Sequence, residues 1–254
     1  MTRLLSLDLH AHIDPRISPA DLLDLQAVIF AATRSLDEAE LALRRRDSRT
    51  VWGVGCHPAL AKAQAEFDVS HFAQLIAKTA FVSEIGLDGR SRVPMERQKA
   101  TLRAVLSTLQ KTPRIASIHS YAATQEVLDE LEAHPVNGAV LHWWLGNREQ
   151  TLRAVEMGCF FSVNAAMLKK EANIQHIPMD RLFTETDHPF GDKRSGAKAR
   201  PGALGNVETA LARHFALDVA AFRLALWGNL RSLIEATDCT SLAPKGVRTQ
   251  LAAL

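Results

Sequence analysis

The sequence predicts an α/β chain folded as a closed parallel (β/α)8 barrel. Short β-prone runs recur eight times along 254 residues. Stretches with apolar residues at helical spacing separate most of them, and no glycine-rich phosphate loop follows the first run, as an open doubly wound sheet would have. A barrel of this length is ordinary for one domain, so residues 1–254 are expected to form a single unit.

The strands are expected at 4–9 (LLSLDL), 27–32 (AVIFAA), 50–55 (TVWGVG), 81–86 (FVSEIG), 114–119 (RIASIH), 138–143 (GAVLHW), 159–164 (CFFSVN) and 181–186 (RLFTET). The helical patterns lie at 35–46, 95–110, 125–133 and 148–157, with further helix from about 205 to 236. Met95, Met157 and the apolar helix positions read as core. Arg44, Arg45 and Arg46 read as a solvated helix end, where positive charge complements the helix dipole.

A hydrophobic fraction of 47% with 23% charged residues is that of a folded globular chain. No apolar run reaches the roughly 18 residues that cross a bilayer, and the N-terminus lacks a signal-peptide pattern, so a cytoplasmic protein without a membrane partner is expected. Cys56, Cys159 and Cys239 are an odd, widely spaced set, which argues for reduced thiols over a disulfide framework or thiolate cluster. The formal charge of +2 gives no global attraction to nucleic acid. Any phosphate contact must be local, and residues 193–200 hold four basic side chains and no acid.

Catalytic groups of such a barrel project from the C-terminal strand ends. Those ends carry His10 and His12, His57, Glu84, His119, His142 and Asp187. His10 and His12 stand at i and i+2, which a strand points to one side. Each residue alone has a plainer reading: His57 before Pro58 could cap a turn, Glu84 could be ion-paired, and Asp187 could open a helix. Chance placement would scatter five of ten histidines instead of gathering them at one mouth. Imidazoles and carboxylates without thiolate suit zinc, manganese or magnesium. Four histidines and two carboxylates exceed the needs of one tetrahedral ion and suffice for two divalent ions sharing a carboxylate, an arrangement suited to hydrolysis.

Six ordered motifs then carry a resemblance: Asp8-Leu9-His10-Ala11-His12, Gly55-Cys56-His57-Pro58, Glu84-Ile85-Gly86-Leu87-Asp88, Ile118-His119-Ser120, Leu141-His142-Trp143 and Glu185-Thr186-Asp187-His188-Pro189. Together they resemble the TatD-type metal-dependent deoxyribonucleases of the amidohydrolase superfamily, from Leu7 to about Ile234. The segments SIHSYAATQEVLDELEAHP, VLHWWLGN and CFFSVNAAML further resemble the QatD-like members of the QatABCD anti-phage defence clusters. The resemblance implies a metallo-dependent hydrolase barrel that cleaves phosphodiester bonds of DNA, often from a 3′ end, within or beside a defence complex. It places His10, His12 and Asp187 on one ion and His119 and His142 on the other, with Glu84 bridging. It gives His57 to the scissile phosphate, and Asp187 to the attacking water.

Three positions depart from the family pattern. His119-Ser120-Tyr121 replaces His-Ser-Arg and loses a bidentate phosphate ligand, Arg200-Pro201-Gly202 replaces Arg-Asn-x-Pro, and His142-Trp143-Trp144 replaces His-Cys-Phe. Tyr121, Arg200 and one tryptophan are therefore the expected substrate contacts, with Trp144 facing the site and Trp143 packing. Two other classes stay open on sequence grounds. An amidohydrolase or deaminase on the same barrel would hold one ion with an aspartate and no bridging glutamate, and a partner-binding subunit of a defence complex would need no catalysis.

Overall fold

The structure, a computed structural model, describes residues 4–169, 174–193, 196 and 199–254. Eight parallel strands appear in chain order: β1 Ser6–His12, β2 Ala27–Ala32, β3 Thr50–Trp52, β4 Phe81–Gly86, β5 Ile115–His119, β6 Ala139–His142, β7 Phe160–Val163 and β8 Leu182–Thr184. The ladders run β1-β2-β3 and β4-β5-β6-β7-β8. Both gaps between these sheets are closed by backbone hydrogen bonds. On one side Asp187 N donates to His10 O at 2.8 Å and His12 N to His188 O at 2.9 Å; on the other Ser83 N donates to Val54 O at 3.1 Å and Cys56 N to Glu84 O at 2.9 Å. The expected (β/α)8 architecture is thus the observed one.

Two strands differ from their expected bounds in a way that matters. β1 runs on to His12, so both histidines belong to the strand and not to the loop after it. β3 stops at Trp52: Gly53 N still donates to Ala31 O of β2, but Val54 N and Cys56 N turn to Phe81 O and Glu84 O of β4. Gly55 permits that approach: a Cβ there would stand 2.0 Å from Thr33 O and 2.2 Å from Glu84 N.

The helices are α1 Pro19–Asp24, α2 Leu36–Leu43, α3 Ala61–Ala65, α4 Val69–Ile76, α5 Met95–Lys111, α6 Thr124–Ala133, α7 Arg148–Glu156, α8 Gly205–His214, α9 Val219–Ala236 and α10 Lys245–Leu251. Their starts follow local chemistry. Ser35 and Asp68 cap α2 and α4 by accepting from the backbone N–H three residues on, and Asn147 with Gln150 forms a reciprocal capping box on α7. Between β7 and β8 the described residues form only short 3-10 turns, at Met167–Lys169 and Met179–Arg181.

One apolar cluster joins Phe30, Phe81, Phe160 and Phe183 from four strands to Trp227 and Leu230 of α9. Trp227 Nε1 donates to Leu5 O at 2.9 Å, and Asn229 of the same helix reaches Met179 O and Leu182 O, so α9 bridges the start of β1 to the start of β8. That packing leaves the opposite strand ends free for polar groups. Cys56, Cys159 and Cys239 form no disulfide and are buried, and burial pushes the Cys56 and Cys159 thiols up to about 12. Among the described residues no helix is long and apolar enough to cross a membrane.

Candidate active site and metal centre

Asp8, His10 and His12 alternate along β1 with buried Leu7, Leu9 and Ala11. The period of two aims all three polar side chains inward. Asp8 accepts from Thr186 N, Thr186 Oγ1 and Gly202 N at 2.7 to 2.8 Å, which ties β1 to the loop carrying Asp187. Burial nevertheless pushes its carboxyl up to about 7, against those donors. Asp187 itself has a φ of 42°, a left-handed backbone that non-glycine residues seldom adopt. Its carbonyl accepts from Phe190 N and Gly191 N and its N–H donates to His10 O of β1, so the surrounding bonds hold this conformation.

Glu84 stands at the centre. Its Oε1 lies 2.6 Å from His119 Nδ1 and 3.0 Å from His142 Nε2. Its Oε2 lies 3.4 Å from His12 Nε2, 3.4 Å from His57 Nε2 and 3.9 Å from His10 Nε2. Asp187 Oδ1 completes the β1 side at 3.6 Å from His12 and 3.8 Å from His10. Every sequence-predicted ligand is therefore brought to one place.

Neighbouring groups decide which ring nitrogen His10, His57 and His119 present. His10 Nδ1 bonds Ser117 Oγ at 2.7 Å, leaving Nε2 toward Asp187. His119 Nε2 lies 3.2 Å from Asp88 Oδ2, leaving Nδ1 toward Glu84. Ala59 N donates to His57 Nδ1 at 3.0 Å, so the ring proton of neutral His57 resides on Nε2, facing the mouth. Behind His142, Glu185 is fully buried and held by Ser162 Oγ, Asn164 Nδ2 and Trp143 N.

The electrostatics show how crowded the charge is. Burial lowers the pKa of His10 well below the ordinary imidazole range, with His142 adding to the effect. Burial likewise lowers His57. Burial opposes protonation of His142, but Glu185 and Glu84 outweigh it and hold its pKa well up. For Glu84 burial opposes ionisation, yet His57 and His119 keep the carboxyl well down. Burial raises Asp187 well above the usual carboxyl range, and the nearby Glu185, Glu84 and Asp8 reinforce that.

Among the described residues His10 Nε2 and Glu84 Oε2 are buried and lack a hydrogen-bond partner. Buried polar atoms without partners are costly, and a divalent cation among nitrogen and oxygen donors would satisfy both. Among the described residues three groups of ligand atoms are close enough to hold a cation: His10, Glu84 and His142; His10, His12 and Asp187; and His57, Glu84 and His119. The donor set therefore fits the metal that the sequence implied.

These groups open into a mouth of about 570 Å³, rimmed by Tyr121, Trp143, Leu145, Phe190 and Lys193. Tyr121 lines it as expected and is half exposed. Two expected contacts do not reach it. Trp144 is 0% exposed, donates from Nε1 to Thr151 Oγ1 at 2.8 Å and packs on Phe161, whereas Trp143 lines the mouth. The reason is that β6 ends at His142 and Trp143 turns at a φ of 42°, so strand alternation stops one residue early. Arg200 lies outside the lining and faces Asp24 on the surface at 3.6 Å. Of the basic run at 193–200, residues 194, 195, 197 and 198 lie outside the described residues. Asp88, Ser117 and Glu185 were missed as positioning groups. Asp88 and Glu185 stand in the quoted motifs, but their pairing with His119 and His142 is made across strands.

The profile of the family described as TatD-related DNase matches residues 7–235. A protein of Bacillus subtilis, described as the uncharacterized metal-dependent hydrolase YabD, is 28% identical over 158 residues, 56% of this chain; the match spans 62% of that protein's own length. The 3′-5′ ssDNA/RNA exonuclease TatD of Klebsiella pneumoniae is 27% identical over 184 residues, covering 66% of this chain and 68% of its own. Among solved structures, the TatD homologue YJJV of Escherichia coli superposes with a TM-score of 0.78 at 21% identity, over 90% of this chain and 97% of that one. A TatD-family hydrolase of Entamoeba histolytica gives 0.75 at 17% identity, over 92% and 99%. With the family profile spanning the whole of the strand-end ligand set, this chain belongs to the TatD-related DNase family.

Proposed function

We propose that this chain is a divalent-metal-dependent phosphodiesterase that cleaves DNA, acting as an exonuclease from a 3′ end. The observation that carries the reading is Glu84, whose two oxygens are divided between two sets of imidazoles: Oε1 toward His119 and His142, Oε2 toward His10 and His12, with His57 beside it. In this reading His10, His12 and Asp187 hold one ion, His119 and His142 hold a second, and Glu84 is shared. Bound there, the ions would supply Lewis acidity toward a phosphoryl oxygen and would acidify a water.

The chain's own groups supply the rest. Neutral His57, with its proton on Nε2, donates to a non-bridging phosphoryl oxygen as charge builds there. Asp187 orients the attacking water and accepts its proton. Tyr121 and Trp143 offer aromatic faces to an unpaired base at the rim, in place of a bidentate guanidinium. A central glutamate between two imidazole sets favours this reading over a mononuclear deaminase.

The test is nucleotide release from 3′-labelled single-stranded DNA by the metal-loaded protein, beside Asp187→Asn. Release by the native chain and its loss in the variant is the expected result; hydrolysis of small amides or esters with DNA left uncut would overturn it. We further propose that the protein serves in the cytoplasm as the nuclease of an anti-phage defence complex, a reading supported by its likeness to QatD-like proteins between the motifs. Phage protection undiminished by His12→Ala would count against a catalytic role there.

A further inference from the structure

Phe190 divides the catalytic face into two cavities. One is the mouth over Glu84; the other, of about 590 Å³, lies between the loops after β1 and β2 and shares His12 and Phe190 with the mouth. Phe190 is 44% exposed although aromatic. Its backbone is fixed by the turn after Asp187, its ring stands edge-on to His12 at 5.6 Å, and Lys193 Nζ lies 5.3 Å from the ring centre. The ring is thus anchored beside the reacting centre while part of its surface remains open.

The charge of the second cavity argues against a phosphate pocket. Arg16 is accompanied by Asp14 at 3.9 Å and Arg34 by Glu38 at 3.6 Å, and Asp37 adds a further carboxylate. A phosphate would meet more acid than base there. The same wall combines apolar faces from Ile13, Pro15 and Leu41 with carboxylate acceptors, a combination suited to the flat faces and N–H edges of a nucleobase.

We propose that this cavity is a nucleoside subsite for the nucleotide next to the scissile phosphate, and that Phe190 is the platform on which the base of a single strand stacks as the chain passes from the mouth. The proposal rests on the phosphodiesterase reading of the mouth. Phe190 then sets a preference for unpaired strands over simple phosphodiesters, because stacking needs a base with a free face.

The test measures binding of a phosphorothioate-linked, fluorescent ten-nucleotide single strand to the metal-loaded protein by anisotropy, with Phe190→Ala and Phe190→Tyr. Loss of one stacked base predicts roughly tenfold weaker binding for Phe190→Ala and near-native binding for Phe190→Tyr. The same strand made abasic at one of its two 3′-terminal positions should bind the native protein and Phe190→Ala alike, since the coupled partner is gone. Equal losses for intact and abasic strands, or no loss with Phe190→Ala, would overturn the subsite. Native protein that binds the strand but leaves its ordinary phosphodiester form uncut would instead sink the phosphodiesterase reading.

Discussion

A histidine offers one nitrogen to a cation reliably only when a neighbour engages the other, and here the neighbours come from distant parts of the chain. Asp88 is held rigid for that task, with Oδ1 accepting from Arg90 N and its own N–H donating to Gln98 Oε1. Replacing it by Ala should free the His119 ring and weaken divalent-ion binding by roughly 10 to 100-fold. Calorimetric titration with manganese would show this; affinity unchanged in a folded variant would leave Asp88 without a positioning role. The adjacent tryptophans separate cleanly. Trp144→Ala should cost about 3–5 kcal/mol, because it empties a buried site and removes the indole donor to Thr151 Oγ1, while Trp143→Ala, at the mouth, should cost clearly less. Urea unfolding of both variants checks it, and a larger loss for Trp143 would refute the assignment. The residues on the strand faces were legible because alternation is enforced by the backbone. Trp143 and Trp144 were not, because one left-handed residue at a strand end cancels that alternation without leaving a compositional mark.

At the scale of elements, the seams decide whether eight strands make a barrel. Gly55 lets the stretch after β3 lie against Ser83 and Glu84, where a methyl group would strike three backbone atoms at 2.0 to 2.3 Å. Gly55→Ala should therefore destabilise by at least about 1–3 kcal/mol and displace Glu84 with it. A fall in melting temperature accompanied by weaker metal binding is expected; loss of neither would mean the seam tolerates the added carbon. A second tie sits at the base of β3, where Asp47 accepts from Arg45 Nε and Nη2 and from Trp52 Nε1 at 2.7 to 2.9 Å. Partial burial disfavours its ionisation, but Arg45 and Trp52 outweigh this and hold the carboxyl below its usual range. A depressed folded pKa contributes stability that is present above the unfolded value and lost as pH falls through the folded one. The native protein should thus exceed Asp47→Asn in urea resistance at pH 7, with the gap closing toward pH 3; a gap independent of pH would assign the effect to geometry alone. The helices around these strands were readable from apolar spacing and caps such as Ser35. The short β3 was not, because its extension looks like strand but from Val54 on turns its hydrogen bonds to the other sheet.

For the whole molecule, the barrel concentrates charge where its own packing cannot neutralise it. Asp8, Glu84, Glu185 and Asp187 are all buried at one end of a core otherwise filled by apolar side chains, and among the described residues His10 Nε2 and Glu84 Oε2 find no hydrogen-bond partner. Alternating strands and helices made the barrel legible, and motif order made the ligand residues legible, since each sits at a strand end. A bridging Glu84 was implied only by the resemblance; how its two oxygens divide among the histidines was beyond sequence, because it depends on how the strands converge. The proposed sharing of Glu84 would give a thermodynamic signature. Ions that bind only the folded state raise stability with the logarithm of their free concentration, and the limiting slope counts the ions bound. Two sites should give about 2.7 kcal/mol per tenfold rise in free manganese once both are filled, and one site about 1.4. Chelated protein should unfold at lower urea than loaded protein, and readdition should restore it. Because Glu84 faces both imidazole sets, Glu84→Gln should flatten the slope across the whole range, whereas Asp187→Asn should affect chiefly the site formed with His10 and His12. Urea midpoints that ignore manganese altogether would show that the orphaned atoms await some other partner.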